Sequence, residues 1–377
     1  MLSLSVKQKL TRHLVNIPGW HTNRKIVVFE SDDWGSIRMP SQEVYQKLLN
    51  KGIRVDNLSY NRYDSLASEE DLSRLFEVLL SVRDKNGNPA IFTANTIVAN
   101  PDFDKIRESN FGEYYYEPFT ETLKRYPQHS QSFFLWQKGI RAGVFKPQFH
   151  GREHLNVNRW MRALQQNTGN VRVAFDYQMY DLSESFELSE NSFMEALNFE
   201  NESEFQFQKE SIEEGLKLFE HIFGYHSETF IAPCYIWSSK LNGFLKKQGI
   251  NALQGGWYQF EPQSGKDHKF RKLFHYTGQL NNSGQYYLNR NVHFEPSENP
   301  EFDWINDALK RIETIFRWGK PAIISTHRLN YIGFIDPANR EQNLPKLKHF
   351  LDKMITQWPD VEFMSSDQLL TLINGNT

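Results

Sequence analysis

Only one cysteine, Cys234, stands in the 377 residues. A lone thiol closes no internal disulfide and builds no thiolate cluster for zinc. No stretch reaches the roughly 18–20 apolar residues that a membrane span needs. The amino terminus, Met-Leu-Ser-Leu-Ser-Val-Lys-Gln-Lys-Leu, has no apolar run of signal-peptide length, so a cytoplasmic protein is expected. Charge of one sign is also scarce as a pattern. The net charge is -3 and no long run is acidic or basic, which leaves no electrostatic footprint for nucleic acid or for an anionic membrane. Internal repeats and low-complexity linkers are missing too. Oligomeric state stays open.

Aromatic residues are what the chain has in plenty. With 29 Phe, 16 Tyr and 9 Trp it can bury a large core, which excludes global disorder. The length allows two domains, yet barrels run this long as one. A single barrel domain over residues 1–377 is expected, with its core at about 25–370.

The order of elements reads strand, helix, strand, helix. Residues 26–31 (I-V-V-F-E-S) form a short β-branched run. Ser68-Glu-Glu-Asp71 resembles a capping box with Asp at its third helical position, and Leu72, Leu75, Phe76 and Leu79 follow at helical spacing. Asn86-Gly-Asn-Pro89 ends that helix before a strand over 90–98. Further strands are expected at 146–150 and 171–177. The second half repeats the rhythm. Helices are expected at 204–223, 238–248 and 302–318, each stopped by a glycine, and strands at 229–233, 252–255, 286–294, 321–326 and 361–364. Such alternation implies a mainly parallel sheet. The expected fold is a distorted (β/α) barrel of seven or eight mostly parallel strands, with loop-rich insertions at 101–137 and 181–204.

Catalytic groups of a parallel barrel collect at the C-terminal strand ends. Asp32-Asp33 directly follows the first strand. Adjacent carboxylates repel, so such a pair calls for a cation; the plain alternative is a turn or helix cap. His150-Gly-Arg-Glu-His154 follows another strand, and histidines at i and i+4 on one helical face can reach a single metal. The alternative is two surface histidines. His327 ends a third strand, where it either points into the barrel mouth or caps the strand. Pro233 stiffens the exit of a fourth strand, and Tyr235 and Trp237 beyond it form either a groove wall or part of a packed aromatic loop. Cys234 is a thiol nucleophile candidate with His327, against the commoner role of a small buried apolar residue. Asn291, His293 and Glu295 alternate on one strand face, either to meet substrate or as an ordinary polar face.

Taken in order, these segments resemble the polysaccharide deacetylases, the carbohydrate esterases with a NodB-like domain. The family's first motif is an Asp-Asp pair after a strand, matched by Phe-Glu-Ser-Asp32-Asp33-Trp. Its second is H-S/T-x-x-H, matched by His150 and His154 with Gly151 in the Ser/Thr position. Its third, R-x-P-Y, keeps Pro233 here and lacks the arginine that tunes the base. Its last keeps only the histidine, His327. Asp303-Trp304 falls where the family has Asp-x-x-Asp-Trp and reads as a helix start. The resemblance implies Asp32 as general base, His327 as acid, and Asp33, His150 and His154 as ligands of a divalent ion, zinc first. It implies removal of an N-acetyl or O-acetyl group from a sugar. Trp34, Arg152, Pro233, Tyr235 and His293 are expected to touch that carbohydrate. The rival readings are a sugar-cleaving hydrolase on a related barrel, a catalytically silent carbohydrate-binding protein, and a thiol hydrolase using Cys234.

Overall fold

A computed structural model describes residues 13–182, 192–263 and 269–375. Nine strands build the main sheet: β1 (Lys25–Trp34), β2 (Phe92–Ile97), β3 (Phe145–Gly151), β4 (Thr229–Ile231), β5 (Ala252–Gly255), β6 (Tyr286–Asn289), β7 (Val292–His293), β8 (Ala322–His327) and β9 (Val361–Met364). Their order across the sheet is β6-β5-β4-β3-β2-β1-β8-β7, all pairs being parallel, and β9 pairs with the start of β1.

The two edge strands, β6 and β7, are consecutive in the chain and separated only by Arg290 and Asn291. The Arg290 amide donates to Gly255 O of β5 at 2.8 Å, and the Asn291 amide to Ile323 O of β8 at 3.0 Å. One run of chain therefore pairs first with one edge and then with the other. This brings the edges together in a distorted (β/α) barrel. The single strand expected over 286–294 is split at that seam.

Alternation decides what lies inside. Ile26 and Val28 of β1 cluster with Ala252, Leu288 and Ile323, and Leu369 and Leu370 of helix Ser366–Ile373 plug the bottom. Val27 and Phe29 point outward, into a core shared with helices Glu69–Leu80 and Pro337–Gln357. Side chains two apart share a face. Glu30 and Asp32 therefore continue the inward row of Ile26 and Val28, as Ser325 and His327 continue that of Ile323.

The box at Ser68 and Asp71 is closed from both sides and starts helix Glu69–Leu80. The helix Glu202–Phe223 stops on left-handed Gly224, close to the expected bounds. Residues 171–177 are a helix, Val171–Asp176, and no strand. Val171, Ala174 and Phe175 sit on its buried side. Phe175 packs on Phe103, Phe111 and Trp160, and that apolar stripe overrides the β preference of V-R-V. The stretch 101–137 is more helix than loop. It holds Phe103–Glu108, Phe119–Lys124 and part of Ser132–Arg141, with a ribbon pairing Ala99–Pro101 to Tyr116–Pro118. Of the other expected insertion, 183–191 lie outside the described residues. Its end, around Ser192 and Glu195, is tied down by Asn156 and Arg159.

Candidate metal centre and acid–base pair

Two irregularities aim the key side chains. In a regular strand Asp32 and Asp33 would face opposite sides of the sheet. The pairing of β1 with β2 slips between Ser31 and Trp34, and Asp33 takes a left-handed φ of 70°. That bulge turns both carboxylates toward the mouth, at a conformational cost of about 1–2 kcal/mol at Asp33. Gly35, φ 84°, completes the turn; a Cβ there would lie 2.2 Å from Ile97 O. The pairing of β2 with β3 slips in the same way opposite His150.

The histidines do not share a helix. His150 is still in β3, and the chain bends through Gly151, φ 141°, before His154. That backbone explains glycine at the second motif position, since side chains rarely adopt it. The His150 Nδ1–H donates to Ile231 O at 2.9 Å, which leaves Nε2 as the lone-pair nitrogen. His150 Nε2 lies 3.4 Å and His154 Nε2 3.6 Å from the same oxygen, Asp33 Oδ1. Ligands about 2.1 Å from a tetrahedral ion stand about 3.4 Å apart. All three residues are buried, their ligand atoms lying within 4.8 Å of one another. His154 is driven down to about 3 by burial, with His150 and Arg38 adding to the effect, so it is neutral at pH 7. Its Nδ1 is buried without a hydrogen-bond partner among the described residues. Asp33 is held well below the usual carboxylate range: burial opposes this, and His150, His154 and Arg38 outweigh it. The donor set and its spacing fit a divalent ion.

Asp32 and His327, the candidates for proton transfer, are closer than their sequence separation suggests. Asp32 and His327 are register partners on adjacent strands, with Asp32 Oδ2 3.7 Å from His327 Nε2. They are neighbours on one rim and do not face each other across the mouth. Asp32 accepts from Asn95 Nδ2 at 2.7 Å and from both Nη groups of Arg290 at 2.6 Å. Burial would raise this carboxyl, but the Arg290 charge and hydrogen bonds hold it at about 2. His327 Nδ1 lies 2.7 Å from Glu295 Oε1. Burial works against the imidazolium; Glu295, Asp32 and Asp33 prevail and raise it well above its ordinary value.

Asp32 thus has a buried arginine beside it, Arg290 from the seam. It is fully buried, and its Nε donates to Glu30 Oε2 at 2.7 Å. Glu295, buried and also bonded by Asn330 at 2.6 Å, is the partner of His327. The alternation Asn291, His293, Glu295 carried the signal for it. Arg290 was visible only as a charged residue inside an apolar strand pattern.

The expected substrate-facing residues divide. Tyr235 is half-buried with its hydroxyl 3.2 Å from Arg290 Nη1, and it and Cys234 both have left-handed φ. Trp34 is 1% exposed, packed edge-on against Trp136 and Phe145, and offers no surface to a ligand. Arg152 is likewise buried, ion-paired to Glu153 and Glu214 and stacked over Tyr116, because the bend at Gly151 turns it away from the mouth. Pro233 is buried at the exit of β4 and His293 is exposed at the end of β7.

Cys234 has no histidine partner among the described residues. Its Sγ approaches Met194 O at 3.6 Å, and burial pushes the thiol up to about 12. A thiol so rarely ionised is a poor nucleophile. Cys234→Ala is expected to keep turnover within about threefold, and iodoacetamide to inhibit weakly; complete loss in a folded variant reinstates the thiol.

Arg328, next to His327, binds both oxygens of Asp64 at 3.0 and 2.9 Å and the Ser36 carbonyl at 2.9 Å. Both charged side chains are fully buried. Removing one partner of such a pair costs about 3–5 kcal/mol. Arg328→Met should lower urea-unfolding stability by about that much, while a loss under 1 kcal/mol contradicts a buried ion pair here.

No family model and no curated protein matches the sequence. Among solved structures, the chain is similar to a 4-alpha-glucanotransferase from Thermococcus litoralis: TM-score 0.47, 9% identity, 92% of this chain and 40% of that one. It is also similar to Puue allantoinase (0.43, 10%, 93% and 91%). A third is the peptidoglycan deacetylase PdaC of Bacillus subtilis (0.33, 11%, 94% and 92%). The chain spans less than half of the glucanotransferase. With every TM-score here below 0.5, function is argued from the residues.

Proposed function

We propose that this protein is a metal-dependent hydrolase that removes an acetyl group from the nitrogen, or less readily the oxygen, of a sugar. The observation that carries the reading is the convergence of Asp33, His150 and His154 beside Asp32 and a His327–Glu295 pair at one barrel mouth. A divalent ion held by the three ligands would supply Lewis acidity for an acyl carbonyl and for water. Zinc is the first choice, although an Asp-His-His set suits other first-row ions.

The chain's own groups divide the proton work. Asp32 is a fixed carboxylate and takes a proton from the attacking water. A base held at about 2 accepts a proton only from a water far more acidic than bulk. His327, kept cationic by Glu295, donates to the leaving nitrogen, which departs poorly as an anion. Arg290 fixes the Asp32 carboxylate in orientation. Tyr235 stands beside Arg290 as a wall of the same cleft.

The test is an assay of acetate release from N-acetylated chito-oligosaccharides by zinc-loaded protein, with and without chelator. Acetate release abolished by chelation is expected. Shorter sugars without acetate point to a sugar-cleaving hydrolase. Binding without any product points to a silent carbohydrate-binding protein.

A further inference from the structure

Three arginines converge on this mouth, and two of them are saturated. Arg290 meets Glu30 and Asp32 at 2.6–2.7 Å, and Arg328 meets Asp64 at 2.9–3.0 Å. Arg38 is different. Among the described residues its closest carboxylate oxygens are Asp33 Oδ2 at 3.4 Å and Asp64 Oδ2 at 3.6 Å, and Asp64 already serves Arg328. Good charge-assisted bonds run about 2.7–2.9 Å. Among the described residues its Nε is buried without a hydrogen bond, and its Nη1 donates only to the Met194 thioether at 3.0 Å. Sulfur is a weak acceptor that an oxyanion would displace. Asp181 adds negative charge near it. The guanidinium lies 5.9 Å from the ring centre of Tyr180 and 5.4 Å from that of Tyr60, whose edge packs on His327. It therefore stands between the metal ligands and the acid, 11% exposed, its fork under-used.

We propose that Arg38 receives an anionic oxygen group, a carboxylate or a phosphate, on the sugar that carries the acyl group, so that the site selects acidic acylated sugars. A guanidinium fork held by flanking rings matches such groups bidentately. The bland reading is that Arg38 only steadies Asp33 Oδ2. That reading affects charged and neutral substrates alike.

This inference rests on the deacetylase reading, and the experiment separates the two. Zinc-loaded wild type, Arg38→Met and Arg38→Lys are compared on N-acetylglucosamine, its 6-phosphate and N-acetylmuramic acid. Acetate release is measured together with calorimetric binding of each sugar. Wild type should bind at least one acidic sugar about 10–100-fold more tightly than the neutral one. Arg38→Met should abolish that ratio and Arg38→Lys restore part of it. The phosphate and carboxylate arms show which anion is favoured. A charge preference without acetate release overturns the deacetylase reading and keeps the anion site. Acetate release with equal affinities in wild type, or equal losses on all three sugars in both variants, overturns the anion site. So does a lack of Arg38-dependent binding of either acidic sugar, whatever the acetate assay shows.

Discussion

His150→Ala and Asp33→Ala proteins are expected to purify folded but without stoichiometric metal, and to lose turnover by more than about 10⁴. Each ligand faces the others directly: one oxygen of Asp33 is shared by both histidines at 3.4 and 3.6 Å. Removing His150 leaves two donors, too few for a tight site. Removing Asp33 leaves two neutral imidazoles and takes away the anion that favours a dication. Elemental analysis beside circular dichroism reads the result. A folded His150→Ala protein that holds one ion per chain places the metal elsewhere.

Asp32→Asn and His327→Ala form the second pair, and their expected signature is opposite: metal retained, turnover down by about 10²–10⁴. The pH profile adds a sign. Asp32 is depressed to about 2, so it is a carboxylate throughout the working range and its own limb lies far to the acid side. Arg290→Met removes the charge that opposes burial. The Asp32 carboxyl should then rise, and activity should fall away at higher pH than in wild type. His327 is raised, so activity present at neutral pH should be lost as pH climbs through its elevated value. That alkaline limb should vanish in His327→Ala and shift down in Glu295→Gln. Wild-type turnover by His327→Ala on an amide makes His327 a structural strand end.

Much of this site was legible because barrel topology puts strand ends together. Asp32-Asp33 and His327 each follow an apolar β-branched run and His150 follows the strand end Pro147-Gln-Phe149, and that position marks them as candidates. Trp34 shares the same segment but packs into the core, because the turn at Gly35 carries it behind the rim. The backbone of the second motif was misread for a related reason. Spacing of four suggests a helical face, whereas a bulge and a left-handed glycine make the same convergence from a strand end. Arg290 was illegible as a partner of Asp32, since 258 positions separate them and only ring closure makes them neighbours. Glu30 hid inside a strand pattern, and the alternation that marks Glu295 does not tell a buried carboxylate from a solvated one. The helix Val171–Asp176 shows tertiary packing overriding local preference.

The proposed hydrolysis depends on Asp33, His150 and His154 holding one divalent ion. X-ray absorption at the zinc edge of the loaded wild type tests it most directly. Two imidazole nitrogens and at least one carboxylate oxygen are expected at about 2.0–2.2 Å, and His154→Ala, left with two donors, should lose that shell together with its stoichiometric zinc. Zinc that shows no imidazole ligation, or the same spectrum in wild type and His154→Ala, contradicts it.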